Sequence, residues 1–253
     1  MMKTGFSISV ILTSSLFAAV AFASPSVDFS SQIEAAISHS DRPANQTERD
    51  AGRNPVAVLA FSQIAPGDRV ADLGAGGGYF SRLLSALVGD EGHVYTQNPP
   101  VWIKNYADMF VPGLESLAAD RKNVSVITVK LDHLGFDNAS LDAVFMGLIY
   151  HDTALLDVDR SKMNLEILRV LKPGGILLIT DHHAKSGSGI SQSQSLHRID
   201  SDLVLSEVLA AGFVLDAQSD ALRFVNDDRS KMVFDPEIRG KTDRFVYRFR
   251  KPE

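Results

Sequence analysis

Three short clusters carry the side chains best suited to chemistry: Tyr150-His151-Asp152, Asp181-His182-His183 and His197-Arg198. Histidine gains and loses a proton near neutral pH, so it can act as a general base. His151 and His182 are the candidate bases, with Asp152 or Asp181 to orient the imidazole and Tyr150 to position an acceptor oxygen. The same side chains could hold zinc, iron or manganese. Their spacing matches no helix-borne His-Glu-x-x-His motif, and no metal ligand is assigned. Arg198, Arg239 and Lys241 could clamp an acidic substrate or form a salt-bridged loop.

A second signal lies upstream, at Val70-Ala71-Asp72-Leu73-Gly74-Ala75-Gly76-Gly77-Gly78-Tyr79-Phe80. Val70, Ala71 and Leu73 read as the end of a buried strand, and Leu83, Leu84, Leu87 and Val88 have helical spacing. A strand, a glycine turn and a helix begin a nucleotide-type βαβ unit. Bare glycines let a ligand approach the backbone closely. The dinucleotide fingerprint G-x-G-x-x-G fails, because its last glycine position holds Tyr79 or Ser81 in the two possible registers. The pattern that fits is acid-x-G-x-G-x-G.

The elements that position these groups follow from periodicity and turn residues. Strands are predicted at Arg69–Leu73, His93–Thr96, Val124–Val129, Leu141–Met146, Ile176–Thr180, Phe213–Ala217 and Phe245–Phe249. Helices are predicted over Pro55–Phe61, Ser81–Val88, Val101–Leu117 (interrupted at Pro112-Gly113), Asn164–Leu171 and Asp200–Ala211. Lys172-Pro173-Gly174-Gly175 should stop the fourth of these. The alternation predicts an α/β fold: one doubly wound, mostly parallel, seven-stranded sheet. The last two strands lack a helix between them, which predicts an antiparallel edge strand. In such sheets ligands lie beyond the carboxyl ends of the strands. Five of the seven histidines (His133, His151, His182, His183 and His197) fall on that rim. The loop Leu222–Asp243 is long and charged, as functional or mobile loops often are.

The glycine turn resembles motif I of the class I S-adenosylmethionine-dependent methyltransferases. Ala65-Pro66-Gly67-Asp68-Arg69-Val70 and Leu168-Arg169-Val170-Leu171-Lys172-Pro173-Gly174-Gly175 resemble that family too. Asp181-His182-His183-Ala184, Leu196-His197-Arg198-Ile199-Asp200 and Arg239-Gly240-Lys241-Thr242-Asp243 resemble a group of exported predicted methyltransferases. The resemblance implies a Rossmann-like methyltransferase fold, S-adenosylmethionine as cofactor and methyl transfer to a small molecule. It places Asp72, Gly74, Ala75, Gly76, Gly78 and Tyr79 at the methionine end of the cofactor. Gln97 stands where the family has an acid for the ribose; Asp132 would take the adenine amino group, with His133 beside the ring. Met146 would end the fourth strand where the cofactor passes.

The amino terminus reads as an address. Lys3 precedes an uncharged apolar run to Phe22, and Ala21-Phe22-Ala23 is a small-x-small cleavage site. Residues 1–23 are therefore expected to be a signal peptide cut after Ala23, giving a periplasmic or secreted protein without a stable membrane anchor. Residues 24–50 read as a helical and loop extension, and 51–253 as the main domain. The chain has no cysteine, which excludes disulfides and thiolate chemistry. Its net charge of −6 supplies no field for a polyanion, so nucleic acid is not an expected partner. The Arg239–Lys251 cationic cluster reads as an exposed strand edge. Non-catalytic small-molecule binding and a histidine-rich metal-dependent enzyme are the alternative uses of the same fold.

Overall fold

The computed structural model describes residues 29–253. The expected signal peptide lies outside the described residues.

Four short helices lead in: α1 (Ser30–Ser38), α2 (Ala44–Thr47), α3 (Asp50–Arg53) and α4 (Pro55–Ser62). Pro55 opens α4, where a missing N–H costs nothing. Strand β1 (Arg69–Leu73) runs into the glycine turn and α5 (Tyr79–Val88), then β2 (His93–Asn98), α6 (Pro100–Asp120), β3 (Val124–Thr128) and β4 (Leu141–Gly147). A 3₁₀ turn at Tyr150–Ala154 follows β4. After it come α7 (Arg160–Val170), β5 (Leu171–His182), α8 (Ser193–Leu196), α9 (Ser201–Ala210), β6 (Val214–Ser219) and β7 (Arg244–Arg250).

The strand order is β3-β2-β1-β4-β5-β7-β6. Strands β1 to β5 are mutually parallel, while β7 runs against both β5 and β6. The antiparallel element expected at one edge is this β7–β6 pair, with β6 outermost. The chain builds outward from β1 through β2 to β3, then returns to place β4 on the other side. The crevice at that reversal lies between the carboxyl ends of β1 and β4, so the glycine turn and the Tyr150 turn face each other.

Two apolar layers cover the sheet. One joins it to α7 and α9 through Met163, Ile167, Val204 and Val208. The other joins it to α1, α4 and α5 through Ile33, Val58, Leu83, Leu84 and Leu87. Each fully buried leucine contributes about 1.5–3 kcal/mol to that layer. Ile33 and Ala36 of α1 are buried, so the residues read as an extension belong to the core from residue 30 onward.

Three local expectations change. The α6 interruption falls at Tyr106 (φ −131°, ψ 29°), and the helix continues through Pro112-Gly113. The strain of Pro112 falls on the carbonyl four residues back, that of Asp108, and the break at Tyr106 lies just beyond it toward the amino terminus. Gly113 is needed for packing, since a Cβ there would lie 2.6 Å from the Gly77 carbonyl. Second, β5 begins at Leu171, with Leu171 paired to Leu141 and a register shift before Ala143. Lys172-Pro173-Gly174-Gly175 is thus an irregular start of the strand, with Gly174 at φ 72°. Third, the tail arginines do not line an exposed edge. β7 is internal; Arg244 and Arg248 are buried, Arg244 donating to the Gly52 carbonyl and Arg248 to Asp216 and the Phe61 carbonyl.

Candidate active site

The polar centre forms where the ends of β4 and β5 meet α8. The Asp181 carboxylate, fully buried at the end of β5, accepts the His151 amide at 2.7 Å through Oδ2 and lies 2.8 Å from His151 Nδ1 through Oδ1. The other nitrogen, Nε2, lies 3.2 Å from Asp152 Oδ1 and 3.3 Å from His197 Nδ1. His197 caps α8 at φ 53°, and its ring rests on Phe234 at 5.0 Å between centroids. Burial alone would lower the His151 pKa; Asp181 and Asp152 outweigh it and lift it to about 10. The carboxylates on both sides favour the protonated ring, which argues for His151 as a donor and against its reading as a base.

His182 is the opposite case. Burial, and after it the nearby His151, Arg244, Arg198 and Arg53 charges, hold it well below the usual histidine range. Its Nδ1 lies 2.8 Å from Thr242 Oγ1, and its ring centre is 6.1 Å from that of His151. With Nδ1–H donated to Thr242, the Nε2 lone pair is free to take a proton.

Other candidates lie elsewhere. Tyr150 is fully buried among α7 and α9; its hydroxyl donates to Glu207 at 3.0 Å and accepts from Asn164 at 2.8 Å. Its apolar neighbours and these two partners make it structural, so it does not position an acceptor. Met146 is a core side chain with no exposed surface. Its place in the strand points it into the α7 layer. Tyr79 turns toward the amino-terminal helices and donates to Asp50 at 2.6 Å. Arg198 is wholly buried, paired with Asp227 at 2.8 Å and bonded to the His183 and Lys231 carbonyls. Asp243 likewise binds Arg223 and Arg229. These pairs pin the long loop down, and Arg198 is not a substrate clamp.

In the glycine turn, Gly74, Gly76 and Gly78 all have positive φ. Gly74 approaches Ile149 so closely that a Cβ would overlap its side chain. The turn is braced by the two residues ending β2. Gln97 Oε1 accepts the Gly74 amide at 3.0 Å and its Nε2 donates to the Val129 carbonyl. Asn98 accepts the Gly76 amide and donates to the Gly76 carbonyl, both at 2.9 Å. Both side chains are buried and aimed at the chain itself, so Gln97 is not the ribose ligand its position implies. Asp72 is buried and accepts from Ser81 Oγ at 2.6 Å. Burial lifts its pKa to about 7.

One residue escaped the sequence reading. Arg53, at the end of α3, sits 4.5 Å from the Tyr79 ring centre and close enough to Asp72 to feel its charge. It has no carboxylate or hydrogen-bond partner among the described residues. Burial, with Arg49 adding to it, pulls its pKa down to about 9. A lone arginine outside any motif gives no sequence signal; only the fold brings it to the first residue of α5. At the adenine position Asp132 is half-buried and also without a protein partner, while the neighbouring His133 is exposed.

Residues 71–179 match the model of a family described as a methyltransferase domain. Among curated proteins, an arsenite methyltransferase from Halobacterium salinarum is 29% identical over 123 residues, covering 48% of this chain and 29% of the relative. A ubiquinone/menaquinone biosynthesis C-methyltransferase UbiE from Vibrio campbellii is 31% identical over 126 residues, covering 49% and 45%. The chain thus spans less than half the length of these relatives. Among solved structures, a SAM-dependent methyltransferase from Aquifex aeolicus superposes with a TM-score of 0.59 at 21% identity, over 87% of this chain and 97% of that one. An arsenic(III) S-adenosylmethionine methyltransferase from Chlamydomonas reinhardtii gives 0.55 at 19% identity, over 88% and 73%. These structures share the fold. Residues 71–179, less than half of the chain, match that methyltransferase-domain model, and the fold is the one these S-adenosylmethionine-dependent methyltransferase structures share.

The residues fit that cofactor at its two ends. The Arg53 guanidinium beside the amino terminus of α5 suits a carboxylate. The unpartnered Asp132 carboxylate suits an adenine amino group. No carboxylate stands at the ribose position, where Gln97 is committed to the turn.

Proposed function

We propose that the protein transfers a methyl group from S-adenosylmethionine to a small-molecule acceptor held on the rim formed by β4, β5 and α8. The observation that carries this reading is the juxtaposition of His182 and the Asp181-held His151 with the glycine turn, which Ile149 touches at Gly74. The bound cofactor supplies an activated methyl, and the protein aligns the acceptor with it. His182 Nε2 takes the acceptor proton while Thr242 fixes the tautomer. His151 donates toward the acceptor side, its ring locked by Asp181. The curated relatives have unlike printed activities, and the family model matches residues 71–179, so we assign acceptor choice to residues 180–243. With no cysteine, the chain has no thiolate to hold a soft metalloid.

The test is the thermal midpoint with S-adenosylmethionine and with S-adenosylhomocysteine. Ligand at 100 times its dissociation constant should add about 2.7 kcal/mol of stability. If neither compound moves the midpoint, the reading fails. Export is part of this proposal, supported by Lys3, the apolar run to Phe22 and Ala21-Phe22-Ala23. Amino-terminal sequencing of the protein recovered from its own cells should begin at Ser24.

A further inference from the structure

We propose that His151 Nε2, Asp152 Oδ1 and His197 Nδ1 form a binding site for one divalent transition-metal ion, with zinc the best fit. It rests on the geometry of three atoms, and an ion held there takes the place of the Nε2 proton that the methyl-transfer reading gives His151.

The three atoms make a nearly equilateral triangle. Nε2 to Oδ1 is 3.2 Å, Nε2 to Nδ1 is 3.3 Å and Nδ1 to Oδ1 is 3.5 Å. Zinc binds imidazole nitrogen and carboxylate oxygen at about 2.0–2.1 Å in a tetrahedron. The edge of such a tetrahedron is about 3.3–3.4 Å for those bond lengths. The observed sides match it. Two of them, 3.3 and 3.5 Å, exceed the usual hydrogen-bond length of about 2.7–3.2 Å, and the third, 3.2 Å, stands at its upper end. Three side chains that simply satisfied one another would have closed in.

The surroundings suit an ion. Asp181 takes the Nδ1 proton of His151, which directs the Nε2 lone pair into the triangle. A carboxylate behind a ligating imidazole is the usual outer partner of a metal-bound histidine. Phe234 packs on the His197 ring and limits its rotation. Asp152 and Asp181 together carry the charge that a divalent ion with two neutral imidazoles balances. The Asp152 and His197 side chains are 20% and 24% exposed, so the fourth corner opens outward, as in sites that keep a position for water or a substrate atom. The ligands come from the turn after β4 and the end of α8, which explains why no local sequence motif marked them. Binding displaces the Nε2 proton of His151.

The experiment uses untagged protein stripped with a chelator and titrated with Co²⁺, then with Zn²⁺ in competition. The expected result is one Co²⁺ per chain, with the intense visible bands of tetrahedral cobalt bleached by one equivalent of Zn²⁺. His197→Ala and Asp152→Asn should each abolish the bands while circular dichroism and S-adenosylmethionine binding persist. Asp181→Asn should keep the stoichiometry but weaken affinity about 10–100-fold, as outer partners do. No stoichiometric Co²⁺ in the folded wild type, or bands that survive His197→Ala, would overturn the proposal. A positive cobalt titration with no response to S-adenosylmethionine leaves the ion site standing and removes the methyl-transfer reading.

Discussion

Asp181 holds His151 twice, by its backbone amide at 2.7 Å and by its ring at 2.8 Å. One carboxylate therefore sets both the path of the chain after β4 and the direction of the imidazole. Removing it leaves a buried N–H and a buried cationic ring without an acceptor. Asp181→Ala should cost about 3–5 kcal/mol, the usual penalty for breaking a buried charged pair. Asp181→Asn keeps one acceptor oxygen and should cost clearly less. Urea unfolding of the two variants measures both, and equal losses would contradict this role.

Arg53 offers a way to separate the two ends of the cofactor groove. A charged hydrogen bond contributes about 1.5–3 kcal/mol. Arg53→Gln should thus weaken S-adenosylmethionine binding roughly 10- to 150-fold. Binding of 5′-methylthioadenosine, which lacks the amino-acid end, should be nearly unchanged. Calorimetry with both ligands decides, and a parallel loss for both would place Arg53 elsewhere.

Gly113→Ala tests the seat of α6 on the glycine turn. In an open helix this change stabilises by about 1 kcal/mol. Here the new methyl would lie 2.6 Å from the Gly77 carbonyl, against rigid backbone. The prediction is a net loss of stability together with weaker cofactor binding. A higher thermal midpoint would show that the contact is not tight.

Asp72 should make stability fall as pH rises. Its folded pKa, near 7, exceeds the value of about 3.9 for an unfolded aspartate. The folded state therefore binds the proton more tightly between these limits. The contribution is full below about pH 4 and lost as pH climbs through 7. Its size is on the order of a few kcal/mol. Asp72→Asn should flatten the pH 4–7 stability profile measured by denaturant midpoints.

The sequence made the strand order and the crevice legible because apolar periodicity and glycine turns are local signals. Leu83, Leu84 and Leu87 declared the α5 face without help from the rest of the chain. The side-chain partnerships were not local. Tyr150 looked like part of a polar triplet, yet a 3₁₀ turn sends it into the core and its neighbour His151 to the rim. Gln97 occupied the right place and faces its own backbone, which depends on the Val129 carbonyl 32 positions later. Arg198 read as either a clamp or a salt-bridged loop residue, and its partner in the latter, Asp227, lies far along the chain. Arg53 carried no motif at all.

The Asp50 carboxylate links Tyr79 at the head of α5 to Arg42, with both contacts at 2.6 Å. Anyone trimming this protein to the region shared with its relatives would discard that bracket and the Arg53 beside it. The shortened chain should keep a sheet but have a mouth without a roof, so recombinant fragments beginning near residue 65 are poor material for ligand screening.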